Sequence, residues 1–264
     1  MGTSDILTPK SARVVAAVKL QRHTGRVRTG LFLAEGPNLV EAAAACGVVE
    51  EVFATPAAVD RHPDLLRDLA VTLVTEPAAK ALSDTVTPSG LVAVCRIPEP
   101  RLNEVLGDKP TLIAVAVDLS EPGNAGTLIR IAHAMGAAAV VFAGNSVDPY
   151  NGKCLRSSAG SIFAVPVISE TDTAGLLSQL RSAGLRIVAT TLDGDTSLDN
   201  ADMLAAPTAW VFGPESQGLP EAVTALADHR VLIPMSAGAE SLNVAAAAAI
   251  CLYQSARAQR QSLG

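Results

Sequence analysis

Six short runs in the second half of the chain are apolar without alternation: TLIAVAVDL (111–119), AAAVVFAG (137–144), FAVPVI (163–168), LRIVATTL (185–192), TAWVFG (208–213) and HRVLIP (229–234). A strand with one wet face alternates apolar and polar residues, whereas a continuous run is covered on both faces and belongs to a mostly parallel sheet between helices. Helical stretches fill the gaps, and a long alanine-rich helix from about Leu242 to Gln259 follows the last strand. The sequence therefore predicts an α/β domain on a mostly parallel sheet. The first half repeats the rhythm on a smaller scale. A basic helix is expected over 9–22, strands over 31–35, 49–55, 71–76 and 90–97, and helices over 36–46, 57–70 and 77–84. The polar stretch PEPRLNEVLGDKP (98–110), with three prolines, reads as a linker.

Composition limits what such a chain does. At 49% hydrophobic and 17% charged residues it has ample material for a core. The apolar run VAAAAAICLY (244–253) is far shorter than the roughly 18 residues a membrane span needs. The first ten residues lack the apolar region of a signal peptide. Cys46, Cys95, Cys154 and Cys251 form no CxxC pair, and His23, His62, His133 and His229 have no metal-ligand spacing. A cytoplasmic protein without metal or membrane partner is expected. The net charge of −6 hides an asymmetry: residues 1–30 hold Lys10, Arg13, Lys19, Arg22, Arg26 and Arg28 against Asp5 alone, +5, so the other 234 residues carry −11. A basic end on an acidic chain suits either a nucleic-acid contact or a solvated helix. Aromatic residues are only 3%, which argues against a base-stacking sheet.

Ligands of open parallel sheets sit beyond the C-terminal ends of the strands. Three such ends, TTLDGD (190–195), FGPESQGLP (212–220) and IPMSAGAESLN (233–243), combine Gly or Pro with few charges. Loops of this kind let backbone groups approach and read a ligand. No GxGxxG opens a helix, and GPESQGLP has P-loop spacing without the Lys-Ser/Thr, so a dinucleotide oxidoreductase or an NTPase loses ground. In DLSEPGNAGTLIRIAHAMGA (118–137), Asn124 stands where a helix N-cap belongs. Arg130 follows Gly126 by four residues and can lean over it toward the loop; it fits equally well an exposed polar face with Thr127 and His133.

NAGTLIR (124–130), FGPESQGLP (212–220) and IPMSAGAESLNVAAA (233–247) together resemble, in order and separation, the three motifs of the SpoU (TrmH-like) RNA 2′-O-ribose methyltransferases of the SPOUT superfamily. The chain is similar to the rRNA-modifying and thiostrepton-resistance-type members, and the resemblance spans about residues 108–260. RVRTGLFLAEGPNLVEAA (26–43) resembles, more loosely, the start of the ribosomal-protein-like substrate-binding domain that precedes the catalytic one in many members.

The resemblance implies an RNA substrate-binding domain over 1–105 and a trefoil-knotted, mostly parallel catalytic domain over 106–264. It implies S-adenosylmethionine as cofactor, held by Thr190, Thr191, Leu192, Phe212, Gly213, Pro214, Gly218, Ile233, Met235 and Leu242. Catalytic positions fall on Asn124, Arg130, Glu215, Ser241 and Asn243, with Asn124 and Glu215 ordering Arg130. Lys10, Arg13, Lys19, Arg22, Arg26 and Arg28 become candidate contacts to structured RNA. The implied reaction is methyl transfer to a ribose 2′-hydroxyl, with 23S rRNA favoured; a tRNA methyltransferase and a non-catalytic RNA-binding relative are the alternatives. A homodimer through the knotted domain is implied too, with Arg130 serving the partner's cofactor. Pro214 departs from the pattern, since many members carry Asn there.

Overall fold

The structure, a computed structural model, describes residues 6–236, 238 and 240–262. Two compact units are found: Met1–Pro98 together with Asp148–Phe163, and Glu99–Val147 together with Ala164–Gly264. A single cut near residue 105 does not describe this division, because a segment between two strands of the second unit folds with the first.

The first unit contains α1 (Ala12–Val18), a 3-10 turn (Lys19–Gln21), α2 (His23–Thr29), β1 (Leu31–Glu35), α3 (Pro37–Ala45), β2 (Val49–Ala54), α4 (Pro56–Arg61), α5 (Pro63–Leu66), β3 (Val71–Leu73), α6 (Glu76–Leu82) and β4 (Leu91–Arg96). Its sheet has the order β1-β4-β2-β3, with β4 antiparallel to both neighbours and β3 parallel to β2. Two helices expected to be continuous are broken. The basic helix expected over 9–22 is α-helical only over Ala12–Val18 and tightens into the 3-10 turn at Lys19; α2, beyond those bounds, was not expected. The helix expected over 57–70 breaks at His62, which precedes Pro63 and leaves the helical region at φ −128° and ψ 49°. Val14, Ala17 and Leu20 pack with Phe53, Val74, Leu82 and Val92 to form a core.

In the second unit come α7 (Leu102–Gly107), β5 (Leu112–Val117), α8 (Pro122–Ala134) and β6 (Ala139–Ala143). The chain then passes through α9 (Gly152–Ser158), which belongs to the first unit, and returns as β7 (Val167–Glu170). The remaining elements are α10 (Thr173–Ser182), β8 (Arg186–Thr190), β9 (Thr196–Ser197), β10 (Thr208–Phe212), α11 (Glu221–Thr224), β11 (His229–Leu232) and α12 (Val244–Ser262). All neighbours in the sheet, ordered β7-β6-β5-β10-β8-β11-β9, are parallel. Each of the six apolar runs supplies a strand, and every residue of β5, β6 and β10 is buried, as coverage on both faces requires.

One covering layer includes Leu176, Leu177 and Leu180 of α10 and Leu102, Val105 and Leu106 of α7. The stretch 98–110 is thus more than a linker: its apolar residues, spaced three and four apart, make α7 and lay one half-buried face against the core. Elsewhere α12 packs against α8, β5 and β10. Trp210 of β10 and Ser255 of α12 are both fully buried, and the indole Nε1–H donates to the hydroxyl at 2.8 Å.

Candidate active site

The C-terminal ends of β8, β10 and β11 open onto one cavity of about 590 Å³ in the second unit. All ten residues expected at a cofactor lie on its wall. Thr190, Thr191 and Leu192 come from the end of β8, Phe212, Gly213, Pro214 and Gly218 from the loop after β10, and Ile233, Met235 and Leu242 from the loop after β11. Ala237 and Ala239 of that last loop lie outside the described residues. Residues beyond those ten also line the wall: Asp193 and Ala247, which lie within the loop and motif stretches singled out in the sequence, and Glu221, Thr224 and Arg230, which do not. Glu221 and Thr224 arrive on α11, a single turn with no sequence signature of its own.

The loop after β10 is built around close backbone approaches. A Cβ on Gly213 would stand 2.7 Å from the backbone of Gly218 and Leu219, and Gly218 itself adopts φ +65°. Pro214 keeps this turn intact, because only its carbonyl is needed: it accepts from Gly218 N at 2.8 Å. Thr191 lines the cavity, and its Oγ1 is buried without a hydrogen-bond partner among the described residues. A buried hydroxyl with no partner is costly and is satisfied by a polar ligand. With the volume, the glycine-built loop and the apolar Leu192, Ile233, Met235 and Leu242, this suits a nucleoside-sized ligand with an apolar flank.

At the mouth, three segments meet on one carboxylate. Glu215 Oε1 accepts from Asn124 Nδ2 at 2.8 Å, Asn243 Nδ2 at 2.7 Å and Val244 N at 3.1 Å. Asn243 Nδ2 also donates to Asn124 Oδ1 at 3.1 Å. Asn243 Oδ1 accepts from Ala245 N and Ala246 N at 3.0 and 3.3 Å, so it caps α12. Asn124 does not cap α8. That role falls to Glu121, which accepts from Gly123 N at 3.2 Å with Pro122 in the first turn, and Asn124 is released to bind Glu215. Ser241 is exposed on the cavity wall.

Arg130 is placed differently. It is exposed on α8, is not among the residues lining the cavity, and has no hydrogen bond or ion pair to Asn124, Glu215 or any other described residue. Burial pushes the thiols of Cys95 and Cys154 up to about 12, with nearby Glu50 and Asp148 adding to it respectively, and pushes Cys251 higher still. None of these three supplies a thiolate nucleophile at neutral pH. No cluster of His, Cys, Asp and Glu suited to a metal ion occurs among the described residues.

Of the six basic residues expected at RNA, Lys10, Lys19, Arg22 and Arg28 are exposed. Arg13, also exposed, is paired with Glu51 and donates to Thr72 Oγ1 at 2.9 Å. Arg26 does not belong on an RNA surface: it is 4% exposed and its guanidinium is taken up by Asp148 and two backbone carbonyls.

A parallel sheet whose strand ends wall a nucleoside-sized cavity, with an amide–carboxylate cluster at its mouth, defines an α/β enzyme acting with a nucleotide-like cofactor. Residues 111–253 match the SpoU rRNA Methylase family, and residues 12–93 match the MRM3-like substrate binding domain. The chain is 34% identical over 94% of its length, and 97% of the relative's, to a 23S rRNA (guanosine(2553)-2′-O)-methyltransferase of Bacillus subtilis. Among solved structures, it is similar to an RNA 2′-O ribose methyltransferase (34% identity, TM-score 0.83, covering 97% of this chain and 99% of the other). It is also similar to the SpoU methyltransferase AviRb of Streptomyces viridochromogenes bound to AdoMet (30%, TM-score 0.85, 96% and 99%). The chain belongs to the SpoU rRNA methylase family. It is an RNA 2′-O-methyltransferase that uses S-adenosylmethionine.

Proposed function

We propose that this enzyme methylates a ribose 2′-hydroxyl of 23S rRNA, in the cytoplasm, as a homodimer through a trefoil-knotted second unit. In this dimer Arg130 of one subunit serves the cavity of the other. The observation that carries the reading is the split arrangement: a cavity wall with its Asn124–Glu215–Asn243 cluster, and a motif arginine that is exposed on α8 and not among the residues lining that wall. The two-unit layout and the substrate named for the Bacillus subtilis relative support 23S rRNA.

The second unit offers a surface for the dimer. Ala246, Ile250, Tyr253 and Arg257, spaced four, three and four residues apart, are exposed along one side of α12, and Arg130, His133 and Ala134 along α8. Ile250 and Tyr253 are among the few large apolar side chains left exposed. For the location, no described helix is long and apolar enough to cross a membrane, and all four cysteines are free.

S-adenosylmethionine supplies an electrophilic methyl group; the protein supplies placement. The loops at 190–192, 212–218 and 233–242, which line the cavity, would hold the adenosine largely through backbone groups, with the unpartnered Thr191 Oγ1 available as a further donor or acceptor. Glu215, held by three donors, locks the loop after β10 to the starts of α8 and α12. Ser241 faces the incoming nucleotide. Arg130 presents a planar fork that grips a phosphate and the ribose oxygen together. A guanidinium offers donors and no acceptor, so the hydroxyl proton leaves through phosphate or water. Catalysis is then chiefly orientation.

Two measurements test this. Arg130→Ala is expected to bind S-adenosylmethionine normally by calorimetry and to lose methyl transfer to unmodified 23S rRNA; lost cofactor affinity with an intact fold would overturn the separation of binding from chemistry. Arg130→Ala and Gly213→Val, each inactive alone, are then refolded together. Random pairing makes half the dimers mixed, each with one intact site of two, so roughly a quarter of wild-type activity returns. A dead mixture containing mixed dimers by mass spectrometry would end the shared-site reading.

A further inference from the structure

Arg26 is the one buried arginine among the basic residues of the first unit, and its bonds lead somewhere specific. Its Nε donates to Asp148 Oδ2 at 2.7 Å, its Nη2 lies 2.6 Å from the same oxygen, and its Nη1 donates to the carbonyls of Leu20 and Gln21 at 2.9 and 3.0 Å. Those carbonyls belong to the 3-10 turn, so one guanidinium ties α2 to the turn before it. The corner is tight: a Cβ on Gly25 would lie 2.0 Å from Lys19 O. Lys19, Arg22 and Arg28 are exposed on this same corner.

Asp148 opens the segment Asp148–Phe163, which leaves the second unit after β6 and returns to it before β7. Its other oxygen accepts from Tyr150 N at 2.8 Å, and the next residue, Asn151, caps α9 by accepting from Cys154 N at 3.0 Å. The segment is fastened along its length. Phe32 stacks near Tyr150 and Phe163, with centroids 5.0 and 6.1 Å apart, Arg156 pairs with Asp84, and Cys46 Sγ donates to Phe163 O at 3.1 Å. Arg26 and Asp148, 122 residues apart, are therefore the junction between the basic corner and a strap whose two ends run directly into the catalytic sheet.

Stability alone is a weak reason for such a pair, because well-packed apolar residues often replace a buried ion pair without loss. What an ion pair adds is a fixed register between the two segments. We propose that Arg26 is a positioning residue for methyl transfer: through Asp148 it holds the strap 148–163 to the corner bearing Lys19, Arg22 and Arg28, so that RNA docked there orders the strap and, through its ends, β6 and β7. This rests on the reading of the chain as an RNA methyltransferase with its basic corner on the RNA.

The test uses full-length protein and unmodified 23S rRNA transcript. Asp148→Asn keeps the side-chain shape and an acceptor for Tyr150 N but removes the charge facing Arg26; Arg26→Lys keeps the charge and removes the fork. Both are expected to bind S-adenosylmethionine and RNA as the wild type does, with the same salt slope, while kcat at saturating RNA falls roughly ten- to a hundredfold, as misplacement far from the chemistry does. In hydrogen exchange, RNA is expected to protect the amides of residues 149–163 in the wild type and not in Asp148→Asn. Wild-type kcat in both variants, with only thermal stability lowered, would overturn the proposal, as would a changed salt slope, which would put the pair in direct RNA contact. Unaltered exchange of 149–163 in RNA-bound wild type would overturn it even if neither variant folds. A wild type that transfers no methyl group to any RNA would instead overturn the enzyme reading beneath it.

Discussion

Glu215 shows how much one exposed side chain organises. Its Oε1 gathers two side-chain amides and the first amide of α12, where the partial positive charge of the helix favours a carboxylate. Glu215→Ala is expected to cost about 1–2 kcal/mol of local stability at the start of α12. Methyl transfer is expected to fall more than cofactor affinity, and Glu215→Gln, which keeps one acceptor, to lie between. Hydrogen exchange at Val244–Ala246 reads this directly; unchanged rates in Glu215→Ala would remove the residue's organising role. Glycine and proline at the strand ends marked the three loops, but the ten residues on the cavity wall were legible only through the resemblance of the three motifs to a known family. Arg26 was not legible, since a lysine-and-arginine-rich helix looks the same whether one of its cations faces water or Asp148, 122 residues away. Asn124 was half legible: its type suited a cap, but Glu121 three residues earlier suited it as well, and only the position of Glu215 decides between them.

Among the elements, β10 and α12 are joined by a polar contact inside an apolar layer. Ser255→Ala strands the buried indole N–H of Trp210 and is expected to lower stability by roughly 1–3 kcal/mol. Ser255→Ala in a Trp210→Phe background is expected to cost much less, because no donor remains to be stranded. Urea denaturation of the two single variants and the double variant measures the difference, and equal effects in both backgrounds would show that the hydroxyl acts by packing alone. Strand positions were read well from the second half because β5, β6 and β10 are apolar on both faces, which leaves a signal no loop imitates. Shorter elements gave less. The helix α7 packs only the half-buried Leu102, Val105 and Leu106 of a polar, proline-flanked stretch against the core, and β9 is two residues long, too short for any period.

For the whole molecule, the relevant quantity is how its charge is distributed on an acidic chain. Only Lys10, Lys19, Arg22 and Arg28 of the early basic residues are both exposed and without an ion pair among the described residues. Replacing these four with Gln is expected to weaken RNA binding and to reduce the slope of log K against log salt by about 3, at 0.7 to 0.9 per released counterion. Cofactor affinity is expected to stay as it was. A slope that does not change would assign the four to a solvated surface. The division into two units was only partly legible, because composition marks the stretch near residue 98 but nothing in DPYNGKCLRSSAGSIF (148–163) advertises that it folds with a sheet encoded far upstream, between Leu31 and Arg96.

The strand order also governs how the chain comes into being. β5 is central in the sheet and apolar throughout, yet its neighbour β10 lies far downstream, with Leu112 opposite Thr208. At roughly 5–20 residues per second, a ribosome needs on the order of 5–20 s to supply that partner, and domains tend to fold only as their parts emerge. During that interval one edge of β5 has no partner, and such long-range parallel pairing forms slowly in any case. Chaperone capture of nascent chains, and aggregation when synthesis outruns it, are thus set by the same topology that later brings three loops together around one cavity.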